Sequence, residues 1–270
     1  MDIVQAALLA LIQGLTEFLP VSSQAHLVVY SLFTGQEYQG LDYDILLHAG
    51  SLVAVVTYFR HELWSMAREW TAAVTGGQST ADSQLAWWII IGTIPAGILG
   101  LLLKDLAEEA LRSPLIMGSA LIGFGLLLGL ADWRHRGERD EYSLKLKDVL
   151  IIGFSQALAL IPGTSRSGIT ITAGLFLGMS REASARFSFL LSVPIITAAS
   201  LLGVRDLLGR GMETEPDALV VGFVVATIST YACIHYFLAL IKRIGMQPFV
   251  AYRVILGLVL LSFFVPWGGQ

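Results

Sequence analysis

In the segment QGLTEFLPVSS at residues 13–23, an apolar run stops at a proline and a short polar segment follows. A second stretch, IPGTSRSG at residues 161–168, has the same order of features. Proline lacks an amide hydrogen and restricts the residue before it, so helices end at or before that residue. Each stretch is flanked by short apolar arms, and each therefore predicts a helical hairpin with a polar tip.

The composition is that of an integral membrane protein. Of the 270 residues, 55% are hydrophobic and only 14% are charged, and the mean hydropathy is +0.69. Soluble domains carry about 25% charged residues, so this chain could not cover a water-facing surface. The net charge of -4 disfavours a nucleic-acid partner, and the single cysteine, Cys233, excludes an intramolecular disulfide. We predict one all-α membrane domain over residues 1–270.

Six apolar stretches approach the roughly 20 residues that a crossing helix needs. They lie at about 44–60, 85–103, 114–133, 183–204, 217–241 and 248–266. The runs at 3–19 and 149–161 are of marginal or insufficient length, which favours re-entrant hairpins. Aligning Pro20 with Pro162 pairs Ser22 with Thr164 and Ser23 with Ser165, and predicts two repeats, about 1–135 and 145–270. Each repeat has one hairpin and three crossings, and an odd number inserts the second copy upside down.

Lysine and arginine are unevenly distributed between the two sides of this topology. One side has twelve of the 17 and the other has four, while Arg166 belongs to the second tip. The positive-inside rule places the twelve in the cytoplasm, so we expect both termini and the opening of the site on the outer side. The twelve are Arg60, Arg68, Arg134, Arg136, Arg139, Lys145, Lys147, Arg181, Arg186, Lys242, Arg243 and Arg253; the four are Lys104, Arg112, Arg205 and Arg210.

The first tip combines a carboxylate, two hydroxyls and an imidazole. An ionisable group at membrane depth costs about 2.5 to 3.5 kcal/mol on insertion scales, so Glu17 needs a partner, a cavity or a function. Gln13 lies one helical turn earlier, on the same face. A serine nucleophile needs an adjacent base, and we expect His26 to reach Ser23 while Glu17 orients the ring or holds a divalent cation. The plainer alternatives are a snorkelling Glu17 and a packing His26; Ser22 completes the tip.

The second tip, residues 163–168, has the composition of an anion site. Backbone amides at a helix start favour negative charge, and Arg166 offers a planar fork to phosphate oxygens. The candidate binding residues beside it are Gly163, Thr164, Ser165 and Ser167. Together the two tips predict phosphoryl transfer inside the membrane, in which the protein supplies position and charge neutralisation. The plainer alternative is a glycine-rich connector with an incidental arginine.

Both tips, with His26, closely resemble the signature segments of the bacterial undecaprenyl-diphosphate phosphatase family, also called bacitracin-resistance proteins. The similarity extends to LHAGS at 47–51 and RFSFLL at 186–191. The resemblance implies hydrolysis of undecaprenyl diphosphate to the monophosphate and inorganic phosphate in the bacterial cytoplasmic membrane. This reaction recycles the lipid carrier of cell-wall synthesis. The resemblance also implies a divalent cation, Mg2+ or Ca2+, and a site open to the outer face, which agrees with the charge count.

Carried over residue by residue, the family's acidic motif falls on Gln13 and Glu17, its essential serine and histidine on Ser23 and His26, and its arginine on Arg166. Gln13 departs from members that have two acids there, because a neutral amide cannot supply a second carboxylate. Gln13 therefore argues against a metal site formed by two carboxylates. Glu17 with substrate oxygens and water is the simpler cation site.

The sequence also bears on two other functional classes, a different lipid phosphatase family and a transporter. In the type-2 phosphatidic acid phosphatase family, a Ser-Arg pair is followed five residues later by a histidine; after Ser165-Arg166 that position is Thr172, which excludes that mechanism. Inverted repeats with broken helices are also a transporter plan, so a transporter or flippase for an anionic or phosphorylated lipid is the alternative. His48 and His235 lie in helical runs and are interpreted as packing residues or weakly polar contacts rather than ligands. Glycine pairs at 125/129 and 174/178 allow close helix approach and leave a homodimer open.

Overall fold

The protein is helical throughout the residues that a computed structural model describes, which are 2–35, 40–103, 113–134, 137–210 and 214–264. Within those ranges it has eleven α-helices, two short 3-10 turns and no β-strand. In chain order the α-helices are α1 (Ile3–Thr16), α2 (Ser23–Thr34), α3 (Leu41–Tyr58), α4 (Arg60–Val74), α5 (Ala81–Leu102), α6 (Pro114–Arg134), α7 (Leu146–Ala157), α8 (Arg166–Phe176), α9 (Arg181–Arg210), α10 (Pro216–Ile244) and α11 (Gln247–Phe264). The two chain ends and Lys104, Arg112 and Arg136 of the charge count lie outside the described residues.

Five helices, α5, α6, α9, α10 and α11, are long and apolar enough to cross a membrane. They coincide with five of the six predicted crossings and fit an integral membrane protein. The sixth stretch, 44–60, forms most of α3, whose 18 residues include Asp42, Asp44 and His48. Helix α3 is not among the helices that are long and apolar enough to cross, and its crossing stays a prediction.

Both hairpins predicted from the proline-broken stretches are present as pairs of short helices. Helix α1 has 14 residues and α7 has 12. At 1.5 Å per residue they are about 21 Å and about 18 Å long, which is less than the roughly 30 Å hydrocarbon core of a bilayer. Helix α2 follows α1 after Pro20, and α8 follows α7 after Pro162.

Each hairpin turns at a serine directly before its second helix. Ser22 has a φ of 69° and Ser165 a φ of 67°, a left-handed conformation that side chains other than glycine rarely adopt. The structure therefore makes Ser22 equivalent to Ser165, and Ser23 equivalent to Arg166. The predicted pairing of Ser22 with Thr164 was wrong by one residue, because the second tip has one more residue than the first between its proline and its helix.

Helices of the two predicted repeats pack in exchanged pairs. Helix α1 packs against α10, and α7, its predicted counterpart, packs against α5; α3 contacts α9, and α6 contacts α11. The short helix α4 has no counterpart among the predicted segments, and it packs against α5 through buried Met66. These contacts bring both hairpins to the interior of the helical bundle, where their tips can touch.

Basic residues assigned to the cytoplasm form ion pairs where the loops join α6, α7 and α9. Arg181 contacts Asp132 at 2.6 Å, and Arg186 contacts Glu141 at 2.7 Å. Arg253 of α11 differs from these residues, because its side chain is completely buried in the protein. Its assignment to the cytoplasmic surface was wrong: it lies at the hairpin tips.

Candidate active site

The first tip places its functional side chains at the junction of two helices. Glu17 is the residue that ends α1, and its amide donates to the carbonyl of Gln13 as in a continuing helical turn. Pro20 prevents the helix from continuing, and the chain reverses at Ser22. Ser23 is the first residue of α2, and its hydroxyl donates to Glu17 Oε2 at 2.7 Å. A carboxylate and an alcohol are therefore in direct contact across the turn.

The second tip is shaped by close backbone approach. Gly163 has a φ of 91°, and a Cβ there would collide with the carbonyl oxygen of Met117, so this position requires glycine. Ser165 caps α8 by accepting from the Gly168 amide at 3.2 Å. Arg166 is the first residue of α8 and points back toward the first tip.

Glu17 is the point at which the two tips meet. Arg166 Nη2 donates to Glu17 Oε1 at 3.2 Å, and Gln13 Nε2 donates to Glu17 Oε2 at 2.9 Å. The Glu17 side chain is only 9% exposed and that of Arg166 14%. This contact brings the two polar tips together and joins residues 149 positions apart in sequence.

The other polar groups of the second tip are buried or make hydrogen bonds within the protein. Ser167 is fully buried and its hydroxyl donates to the carbonyl of Leu19 at 2.9 Å. Thr164 is also fully buried, and among the described residues its hydroxyl has no hydrogen-bond partner. The Arg166 guanidinium also packs over the ring of Phe18, 5.5 Å from its centroid. Direct substrate contacts by Thr164, Ser165 and Ser167 stay predictions.

Both ring nitrogens of His26 make hydrogen bonds to groups other than the Ser23 hydroxyl that His26 was expected to activate. Its Nδ1 lies 2.8 Å from the carbonyl oxygen of Ser22, and its Nε2 lies 2.7 Å from the hydroxyl of Tyr252 on α11. A carbonyl only accepts, so Nδ1 carries the hydrogen and Nε2 accepts from Tyr252. The two rings are stacked at 5.5 Å. The group in contact with Ser23 is Glu17 rather than His26.

Two residues at the site were missed by the sequence interpretation. His48 on α3 was expected to pack, yet its Nε2 lies 3.9 Å from Glu17 Oε2 and 3.4 Å from Gln13 Nε2. Arg253 was counted as a surface base, yet its guanidinium donates to four carbonyl oxygens of both tips and of α6. The signal for His48 was its place in the LHAGS segment; Arg253 carried no comparable signal.

Comparison with known proteins gives the family of the chain. A family model described as "Bacitracin resistance protein BacA" matches residues 6–259. The chain belongs to this family. It is 55% identical over 267 residues to "Undecaprenyl-diphosphatase 2" of Stutzerimonas stutzeri, covering 98% of this chain and 99% of that protein. It is 50% identical over 264 residues to "Undecaprenyl-diphosphatase" of Nitrosococcus oceani, covering 98% and 100%.

Membership of the BacA family raises the question of whether these residues fit a divalent cation. Among the described residues there is no group of three or more His, Cys, Asp or Glu side chains that could form a cage. The donors that do converge are the Glu17 carboxylate, the His48 imidazole and the Gln13 amide, whose Oε1 is buried without a hydrogen-bond partner in the described part of the chain. This set fits a cation that also takes ligands from substrate oxygens and water.

Proposed function

We propose that this protein hydrolyses undecaprenyl diphosphate to undecaprenyl phosphate and inorganic phosphate within the membrane. Relatives that match over almost their full length carry the name of this activity. The observation that carries the proposal is the carboxylate of Glu17, which contacts an alcohol from one hairpin and a guanidinium from the other. These are the groups that attack and charge neutralisation at a phosphorus atom require.

In the proposed reaction, Ser23 Oγ attacks the terminal phosphorus and its proton passes to Glu17. The bond from that phosphorus to the bridging oxygen breaks, and the lipid monophosphate leaves. Water then attacks the phosphoserine, which releases inorganic phosphate and restores the hydroxyl. Glu17 is assigned as the base because it accepts from Ser23 at 2.7 Å. We retain His26, polarised by Tyr252, as the proton-transfer residue for the water step.

The diphosphate is proposed to bind at the start of α8. Arg166 supplies the positive charge, and the free amides at the helix start supply further donors. When bound, a divalent cation at Glu17 would neutralise part of the diphosphate charge. Before substrate binds, the 3.2 Å ion pair with Glu17 holds the Arg166 guanidinium in position. The diphosphate must then either separate Arg166 from Glu17 or contact both residues.

We further propose that residues 1–135 and 145–270 are inverted-topology repeats, with the site open to the outer face of the bacterial cytoplasmic membrane and both termini outside. The exchanged packing of α1 with α10 and α7 with α5 supports the repeats. Without Arg253, the charge count still favours the cytoplasmic side by eleven to four. Labelling of single cysteines with membrane-impermeant maleimide, in a chain with Cys233 replaced, tests this orientation. On this topology the enzyme would recycle the cell-wall lipid carrier.

Phosphate release by the purified protein in detergent tests the activity. Wild type with Mg2+ or Ca2+ should release phosphate from undecaprenyl diphosphate, and Arg166→Ala should reduce release by at least about a hundredfold. Arg243→Ala, at an exposed arginine near the end of α10, is the matched control and should be unaffected. Detergent micelles have no two compartments, so turnover there also separates the enzyme from a lipid transporter. No release by wild type contradicts the proposal.

The nucleophile is tested separately by rapid-quench mass spectrometry. A phosphoserine at Ser23 should appear during turnover and be absent in Ser23→Ala. Ser262→Ala, an exposed serine of α11, should leave it unchanged. Turnover with no phosphoserine on any time scale would assign the attack to water instead.

A further inference from the structure

His48 brings an imidazole to the site from a helix outside both hairpins. It lies on α3, and its Nε2 is 3.9 Å from Glu17 Oε2. Its side chain is 40% exposed, whereas that of Glu17 is 9% exposed. The ring thus lies on the more accessible side of the carboxylate, next to Oε2, whereas Arg166 contacts Oε1.

The orientation of the ring is fixed by its own helix. His48 Nδ1 lies 2.8 Å from the carbonyl oxygen of Asp44, four residues earlier. Because a carbonyl can only accept, Nδ1 carries the hydrogen and the lone pair of the neutral ring is on Nε2, facing Glu17. Metal-bound histidines usually have this arrangement, in which the other ring nitrogen donates to a backbone carbonyl or carboxylate.

We propose that His48 is a nitrogen ligand of the divalent cation held by Glu17, so that this chain has a mixed oxygen and nitrogen site in place of a pair of carboxylates. The proposal deepens the proposed function, since it concerns the cation of the same site. Cation binding is measured without substrate, and the two proposals can therefore fail separately.

The distances allow a shared ion. Two ligands that each lie about 2.1 Å from a metal are at most about 4.2 Å apart, and the two atoms here are within that limit. The Gln13 amide marks the same point, because its Nε2 is within 3.4 Å of both atoms. Rotation of that amide would present Oε1, which is buried without a hydrogen-bond partner in the described residues, to the same position.

The nature of the ligands sets the preferred metal. Mg2+ and Ca2+ favour carboxylate, carbonyl and water oxygens, whereas imidazole suits Zn2+ and other first-row transition metals. Replacing a second carboxylate with His48 should therefore raise the affinity for Mn2+, Co2+ and Zn2+ relative to Mg2+. This expectation differs from the Mg2+ or Ca2+ that the family resemblance implies.

Mn2+ titration of the full chain in detergent micelles, followed by electron paramagnetic resonance, tests the ligand directly. Wild type should bind one Mn2+ with spin-echo modulation from a directly bound 14N nucleus. His48→Gln should lose that modulation and bind Mn2+ at least about tenfold more weakly, with Mg2+ affinity changed less than about threefold. His235→Gln is the matched control on α10 and should keep the wild-type signal and affinity.

Two results would overturn the proposal: wild type that binds Mn2+ without nitrogen modulation, or His48→Gln that retains the modulation and the affinity. If His48→Gln does not fold, as judged by gel filtration and circular dichroism, His48→Asn is measured in its place and the wild-type spectrum still decides. Nitrogen-coordinated Mn2+ in a protein that releases no phosphate would contradict the proposed hydrolysis and leave this proposal standing.

Discussion

Replacing Arg253 with methionine should loosen the hairpin tips from α11. The guanidinium is completely buried and makes four hydrogen bonds of 2.9 to 3.1 Å. Its acceptors are the carbonyl oxygens of Leu121 on α6, Pro20 in the first tip, and Gly163 and Thr164 in the second. Arg253 therefore links both tips to α11.

The expected loss of stability follows from those bonds. Hydrogen bonds to a charged group contribute about 1.5 kcal/mol each at the lower limit, so four contribute about 6 kcal/mol. Desolvation of the buried guanidinium costs several kcal/mol, which offsets about half of this stabilisation. Arg253→Met should therefore lower the free energy of unfolding by about 3 kcal/mol. In a chain of this size that corresponds to about 6 to 12 °C in Tm.

Thermal unfolding in detergent, together with phosphate release, measures both consequences. Arg253→Met should lower Tm by that amount and reduce turnover, because Glu17 and Arg166 are no longer held in register. Arg253→Lys should fall between it and wild type, since one ammonium cannot reach acceptors on three segments at once. Arg243→Met, exposed on α10, is the control. A Tm of Arg253→Met within about 2 °C of wild type would refute the claim that Arg253 stabilises the fold by linking the tips to α11.

Three further changes have defined outcomes. Glu17→Gln should abolish phosphate release and also lower Tm, because it leaves the buried guanidinium of Arg166 without a counter-charge. Added inorganic phosphate should restore part of the lost Tm. An unchanged Tm in this variant would contradict a stabilising ion pair. Tyr252→Phe removes the donor to His26 but retains the ring, and should reduce kcat about tenfold with KM unchanged; equal kcat would remove the tyrosine from the mechanism. Burial raises the pKa of Asp148, but the hydrogen bonds from Arg139 and from the Lys145 amide, together with the positive charges of both residues, outweigh burial and hold the pKa below its usual value. These interactions stabilise the fold above about pH 4, and that stabilisation is lost as the pH falls further. Asp148→Asn should therefore have a lower Tm than wild type at pH 7, and this difference should shrink progressively as the pH falls below about 4, as measured by thermal scans over that range.

The prediction for Glu17→Gln shows where sequence reasoning stops. From the sequence alone, a carboxylate at membrane depth is an isolated charge, and its removal should cost little stability. The structure pairs that carboxylate with Arg166, so its removal leaves a second charge unpaired. Ionisable residues far apart in sequence could be recognised as functional from their depth, but their pairing depends on how the hairpins pack.

The hairpins themselves could be predicted because proline and helix length are local signals. Pro20 and Pro162 end helices that are too short to cross, and polar backbone at that depth must be enclosed by protein. His48 and Arg253 could not be placed in the same way. Only the packing of α3 and α11 against the tips distinguishes a site residue there from a packing or surface residue.

The correction to the hairpin register explains how two similar tips form one asymmetric site. Ser23 and Arg166 occupy the same position, the first residue of a helix that follows a left-handed serine, and both contact Glu17. An alcohol in both places would lack a charge to hold a diphosphate, and a guanidinium in both would lack a nucleophile. Because the carboxylate comes from the first hairpin only, one tip can present the attacking group while the other binds the phosphate. The difference at this one position is therefore what converts a pair of equivalent turns into a site suited to phosphoryl transfer.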